Sequence, residues 1–98
     1  MIIWSPRGQL RLHQCAKYIL QESQDWPTTL NWRNNVDEVV ATLEAFPESG
    51  SIVREFGRKD VRQVLAGNYR IIYRVRKSQI EIISVRHTAF LIKSMHSL

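Results

Sequence analysis

The side chains best suited to bind or transform another molecule are arginines in the second half of this 98-residue chain, together with one histidine. Residues 69–75 read Tyr-Arg-Ile-Ile-Tyr-Arg-Val, and in an extended strand this run places Arg70 and Arg74 on the same face. Guanidinium groups bind phosphate and carboxylate oxygens through paired hydrogen bonds. We therefore predict a basic sheet face that contacts an anionic target, with six contributing residues: Arg54, Arg62, Arg70, Arg74, Arg86 and His87.

Two simpler interpretations of these residues stay open. Arg70 or Arg74 could pair with Glu55 or Glu81 across the sheet, which would make the arginine structural. His87 ends the last predicted strand, where an isolated histidine is commonly a hydrogen-bonded polar residue, although imidazole also suits proton transfer. Because bases outnumber acids in this region, we do not expect every arginine to be paired.

Other kinds of chemistry lack the residues that they need. The four glycines stand apart, so there is no glycine-rich phosphate loop, and the three histidines have no metal-ligand spacing. No nucleophile elbow occurs. Cys15 is the only cysteine, which excludes an internal disulfide and predicts a core residue in a protein of the reducing cytoplasm. We predict no metal and no cofactor.

Charge is distributed unevenly along the chain, whose net charge is +5. Residues 50–98 contain ten Lys or Arg against three Asp or Glu, whereas residues 1–49 contain four against six. Such an asymmetry predicts an anionic partner, either nucleic acid or an acidic protein segment; a basic surface without a specific partner is the alternative. No apolar run approaches the roughly 20 residues of a membrane span.

Two helices are predicted in the first half, after a short strand at residues 2–4. Ser5-Pro6 begins a helix over about residues 6–22, because serine caps a helix and proline tolerates its first position. Asp25-Trp26-Pro27 begins a second, whose apolar residues recur at helical spacing until Pro47 and Gly50. This second helix has a net negative charge, which argues against a helix-turn-helix DNA reader.

The second half is rich in β-branched and aromatic residues, which predicts strands at residues 51–56, 61–65, 69–75 and 80–85. The connections are short and therefore favour antiparallel neighbours. We predict an α+β fold of order β-α-α-β-β-β, in which a helical hairpin packs on one face of an antiparallel sheet. No internal linker is evident, so residues 1–98 are predicted to form one domain.

Several motifs occur in a defined order along nearly the whole chain. They are the capped first helix, the amphipathic second helix, Phe-Pro-Glu-Ser-Gly at 46–50, Val-Arg-Gln-Val-Leu at 61–65, Gly-Asn-Tyr-Arg-Ile-Ile-Tyr-Arg-Val at 67–75, and Ile-Ser-Val-Arg-His at 83–87. In this order they resemble the RelE/ParE superfamily of bacterial toxin–antitoxin toxins. The resemblance implies a cytoplasmic toxin that arrests growth and is neutralised in a hetero-oligomer with its cognate antitoxin.

Two targets divide this superfamily, and the resemblance favours one of them. RelE-like members cut messenger RNA on the ribosome, with an arginine just after the last strand and often a C-terminal tyrosine, whereas ParE-like members inhibit DNA gyrase. Arg70 matches the strand arginine of both branches, and Arg62 matches a basic strand position. After Val85 the chain reads Arg86-His87-Thr88, without an arginine at Thr88 itself, and no tyrosine follows Tyr73, so the resemblance favours a ParE-like gyrase inhibitor.

Two alternatives remain. The first is a RelE-like, metal-independent endoribonuclease that acts on ribosome-bound mRNA, with Arg62, Arg70, Arg86 and His87 as its catalytic candidates. The second is a non-toxic nucleic-acid-binding module, whose affinity would fall steeply with salt.

Overall fold

The computed structural model describes residues 1–77 and 79–98, which form two helices and a five-stranded sheet. The elements follow in the order β1 (Ile2–Trp4), α1 (Pro6–Ser23), α2 (Trp26–Ala45), β2 (Ser51–Ile52), β3 (Val61–Ala66), β4 (Tyr69–Arg76) and β5 (Gln79–His87), with a 3₁₀ turn at Met95–Ser97. The predicted α+β class and helical hairpin are confirmed. Neither helix is long and apolar enough to cross a membrane, as judged over the described residues.

The sheet is mixed and has the strand order β1-β5-β4-β3-β2. Strands β2 to β5 pair antiparallel as predicted, but β1 pairs parallel with β5, with Ile2 opposite Ile80. Short turns impose antiparallel pairing only on strands that they connect directly. The whole helical hairpin and three strands separate β1 from β5, so no turn constrains their relative direction.

Both helices begin where the sequence predicts. The Gly8 N–H donates to the Ser5 hydroxyl oxygen (2.9 Å), and the Thr28 N–H donates to the Asp25 carboxylate (3.3 Å). These bonds satisfy amides that have no partner within the helix. Gln24 ends α1 in the left-handed conformation (φ 52°) and turns the chain directly into α2.

The hairpin packs on one face of the sheet. Leu12, Val36, Val40 and Leu43 from the helices join a cluster with strand residues on this face, among them Ile71, Tyr73, Ile82 and Val85. The approach of α1 is close: a Cβ at Gly8 would lie 2.4 Å from the carbonyl oxygen of Ile82. Glycine therefore permits α1 to lie directly against β5.

The opposite face of the sheet, called the outer face below, is partly covered. After β5 the chain folds back across it, and Ile92 and Leu98 are each only 2% exposed. They pack with Val53, Val61 and Ile72 in a second apolar cluster. The prediction of an open basic face is therefore wrong over this area.

The strand predicted at residues 51–56 is much shorter than expected. Only Ser51–Ile52 pairs with β3, and the chain then turns. Val53 is fully buried in the second cluster, and this anchors the turn over the outer face. The turn consequently carries Arg54 and Glu55 outside any strand.

Candidate functional site

Arg70 lies on β4 and belongs to the outer face, but it is only 8% exposed. Its Nε–H donates to the Gln63 Oε1 atom (2.7 Å), and its two terminal nitrogens donate to the two carboxylate oxygens of Glu55 (3.0 Å each). These hydrogen bonds lower the pKa of the Glu55 carboxyl. The expectation of a solvent-facing Arg70 is wrong, because the turn after β2 brings Glu55 over it. Arg70 instead forms an ion pair with Glu55, which is the structural alternative that the sequence left open.

Arg74 lies on the same face of β4, with its side chain 16% exposed. Its Nε atom is 4.0 Å from a carboxylate oxygen of Asp60. Arg58 binds that carboxylate more closely (2.8 Å), and its hydrogen bond is the main cause of a lowered Asp60 pKa. Arg74 therefore has a distant and shared partner, and little of its guanidinium is open to an incoming molecule.

Arg62 and Arg54 do not join the outer face. Arg62 lies opposite Tyr73 in the β3–β4 register, and directly opposed side chains share a face, which here is the face of the helices. Its guanidinium donates to the carbonyl oxygens of Gly50 (2.9 Å) and Glu48 (3.4 Å), so it supports the loop before β2. Arg54 is exposed in the turn after β2.

His87 ends β5 opposite Tyr69, and it too lies on the face of the helices rather than on the outer face. Its ring contacts Tyr69 edge-on, with 5.1 Å between ring centroids. The Ala89 N–H donates to His87 Nδ1 (3.0 Å), and the residue is exposed. This hydrogen bond leaves Nε2 as the free nitrogen of the ring.

Arg86 lies on the outer face opposite Arg70, at the edge that α1 covers. Its guanidinium donates to the carbonyl oxygen of Ser97 and lies 4.0 Å from the ring centroid of Phe90. Burial lowers the pKa of Arg86, and the positive charges of Arg11 and Arg7 lower it further.

Arg7 and Arg11 are functional candidates that the sequence analysis missed. Arg11 donates to a backbone oxygen of Leu98 (2.9 Å), and Arg7 donates to backbone oxygens of Leu98 (3.3 Å) and His96 (3.4 Å). Together with Arg86 they form a group of three arginines, and no ion pair joins any of them to an Asp or Glu side chain of the described residues. Their spacing of four residues on α1 was the available signal.

A pocket of about 420 Å³ opens beside this group, between α1 and the segment that follows β5. Six of the residues that line it carry charged or aromatic groups: Arg11, Tyr18, Tyr69, Arg86, His87 and Phe90. Cys15 also lines it; its thiol donates to the Val85 carbonyl oxygen (3.5 Å), and burial raises its pKa to about 11. Of the six residues predicted from sequence, the structure brings together Arg86 and His87 at this pocket and disperses the others.

The chain matches a family model described as "ParE toxin of type II toxin-antitoxin system, parDE" over residues 2–91. It belongs to the ParE toxin family. The resemblance to the RelE/ParE superfamily, with ParE-like character, is thereby confirmed. A comparison with curated proteins finds no match.

A solved structure shares the fold of this ParE-family chain. It is described as the chromosomal ParDE TA system from P. aeruginosa, and one of its chains superposes with a TM-score of 0.71 at 16% identity. The match covers 88% of this chain and 92% of that chain. The family match itself includes Arg86 and His87 but ends at residue 91, so Ile92 and the residues after it lie beyond the matched range.

Proposed function

We propose that this chain inhibits DNA gyrase and that its cognate antitoxin neutralises it. The observation that carries the proposal is the ParE family match over residues 2–91. Two contacts support it against RNA cleavage. Arg70 is engaged by Glu55 and Arg62 by backbone carbonyl oxygens, whereas a nuclease would need such arginines free to stabilise charge on the reacting phosphate.

The target can be tested with purified components. We expect the chain to block supercoiling by gyrase or to trap cleaved DNA, and to leave translation in a cell-free extract unaffected. Premixing with the antitoxin should restore supercoiling and serves as the control. Cleavage of ribosome-bound mRNA, with gyrase unaffected, would reject the proposal in favour of the RelE-like alternative. Binding of nucleic acid without growth arrest or gyrase inhibition would favour the non-toxic module.

We further propose that an amphipathic, acidic segment of the antitoxin docks on the outside of the helical hairpin. An almost wholly apolar groove of about 250 Å³ lies between α1 and α2. Trp26 and Leu30 line it and are 60% and 45% exposed, and Lys17 lies at its border. Recognition of an amphipathic helix uses such an apolar groove, and the net charge of +5 favours approach of an acidic partner.

A matched pair of leucine variants tests this location. Leu30→Ser should weaken antitoxin binding by about tenfold or more, because it removes an exposed apolar side chain from the wall of the groove. Leu65→Ser removes a leucine from β3 that is 55% exposed, against 45% for Leu30, and should leave affinity within about twofold. The reverse pattern would show that the antitoxin crosses the sheet instead. Raising the salt concentration should slow association more than it changes dissociation.

A further inference from the structure

The pocket between α1 and the segment after β5 has a composition that antitoxin docking and gyrase inhibition do not explain. Its volume of about 420 Å³ lies within the range of small-ligand sites, which is about 300–1,000 Å³. It lies away from the groove between α1 and α2, because its walls come from the other side of α1, from the end of β5 and from residues 89–90. We therefore expect this pocket to bind a ligand other than the antitoxin segment.

The positive charge on the pocket wall has no Asp or Glu side chain as an ion-pair partner among the described residues. Arg11 and Arg86 both line the pocket; Arg11 donates to a backbone oxygen of Leu98 and to the Gln14 amide oxygen, and Arg86 donates to the carbonyl oxygen of Ser97. The Nε atoms of both arginines are buried and have no hydrogen-bond partner among the described residues. Burial and like charges also lower the pKa of Arg86. A bound anion would offset this repulsion, and guanidinium groups suit phosphate especially well.

Aromatic rings supply the rest of the wall. Tyr18 on α1 and Phe90 after β5 are 55% and 40% exposed, although apolar rings are favoured in contact with another surface. Tyr69 and His87 form an edge-on pair at the base of the pocket. Flat aromatic faces next to arginines are the combination that binds single nucleotides, because a base stacks on the ring while its phosphate meets the guanidinium.

We propose that this pocket binds a nucleotide unit, with its phosphate at Arg11 and Arg86 and its base against Tyr18 and the face of Phe90 that Arg86 does not cover. The unit is either a free nucleotide or one residue of a single-stranded nucleic acid, since both present the same phosphate and base. A carboxylate side chain of an acidic peptide would meet the arginines but leave the rings uncovered, so a nucleotide accounts for more of the wall. The proposal does not depend on gyrase as the target.

Calorimetric titration of the purified full chain at low salt tests the ligand class. The probes are AMP, UMP, adenosine, inorganic phosphate, and single-stranded tetranucleotides of RNA and DNA. We expect at least one mononucleotide or tetranucleotide to bind, with adenosine and phosphate each about tenfold weaker or worse, because each carries only half of the recognised chemistry. A tetranucleotide that binds more tightly than the mononucleotides identifies a strand as the source, and equal affinities identify the free nucleotide. Absence of binding by all nucleotide probes overturns the proposal.

Two pairs of variants test the location. Tyr18→Ala and Arg11→Gln should each weaken nucleotide binding by about tenfold. Their controls are Phe46→Ala, which removes an exposed ring elsewhere, and Arg54→Gln, which removes the same charge from an exposed turn; both should bind within about twofold of the original chain. The Tyr18 side chain is 55% exposed and its hydroxyl has no hydrogen-bond partner among the described residues, so its variant should fold, and melting temperatures verify this.

Two results would reject the assignment to this pocket. If Arg54→Gln weakens binding as much as Arg11→Gln, the interaction follows net charge rather than a site. If Tyr18→Ala weakens antitoxin binding while nucleotides do not bind, the pocket is a peptide site.

Discussion

Replacing Arg70 with alanine should destabilise the fold, and the size of the effect follows from its contacts. The substitution removes three hydrogen bonds, two of them to the Glu55 carboxylate and one to Gln63, from a residue that is only 8% exposed. Breaking a buried ion pair by removing one partner costs about 3–5 kcal/mol. The Glu55 side chain is 29% exposed, so water can solvate the unpaired carboxylate and reduce this cost. We therefore expect a loss of about 2–3 kcal/mol in the free energy of unfolding.

Urea titration and thermal melting at neutral pH measure this loss. In a domain of this size about 1 kcal/mol lowers the melting temperature by about 4–8 °C, so Arg70→Ala should melt about 10–20 °C below the original chain. The matched control is Arg54→Ala, which removes an exposed arginine from the neighbouring turn and should change stability by about 0.5 kcal/mol or less.

A double-mutant cycle isolates the ion pair itself. Arg70→Ala combined with Glu55→Ala should cost clearly less than the sum of the two single changes, because the pair is lost only once. If Arg70→Ala instead melts within about 2 °C of Arg54→Ala, the ion pair contributes little to the stability of the fold. Arg70 is then available to bind a target. Any loss of toxicity in Arg70→Ala could then be assigned to lost contact rather than to unfolding.

Three further predictions concern buried or paired groups. Tyr73→Phe should cost about 1–3 kcal/mol in urea titration, because it leaves the buried Gly50 N–H, which donates to the Tyr73 hydroxyl (3.0 Å), without its partner. Cys15, whose pKa is raised from 9.0 to about 11, should react with iodoacetamide at neutral pH about a hundredfold more slowly in buffer than in denaturant; equal rates would contradict its burial. The lowered pKa of Glu55 stabilises the folded chain above the ordinary glutamate pKa, and this contribution is lost as pH falls through the lowered value. Glu55→Gln should therefore flatten the acid side of the stability curve, and an unchanged curve would refute the linkage.

The helical hairpin could be predicted from sequence because its signals are local. Ser5 and Asp25 cap helices through amides three residues ahead, and such bonds depend only on neighbouring residues. The apolar spacing of Val36, Val40 and Leu43 likewise requires only that a helix pack against something. The structure confirms both helices for that reason.

The outer face could not be predicted because its contacts are distant in sequence. Alternation placed Arg70 and Ile72 on one face of β4, and the register agrees. Alternation does not indicate which distant residues cover that face. Glu55, which covers Arg70, is 15 residues away in sequence. Ile92 and Leu98 contact Ile72 only because the chain reverses direction after β5. A face predicted to be open to solvent was therefore filled by a turn and by the last residues of the chain.

The charge count along the chain also gave no indication that Arg7 and Arg11 lie beside Arg86. The first half is net negative, and none of its arginines was among the six residues predicted for the basic surface. Charge acts through distance in space, however, and α1 lies along β5, so Arg7 and Arg11 are brought to Arg86 from more than 70 residues away. Three of the six acids of the first half have partners elsewhere: Asp25 caps α2, Asp37 pairs with Arg33 within that helix, and Glu44 pairs with the N-terminal amine. A group of three arginines is thus built from both halves of the chain, at a pocket that aromatic rings also line.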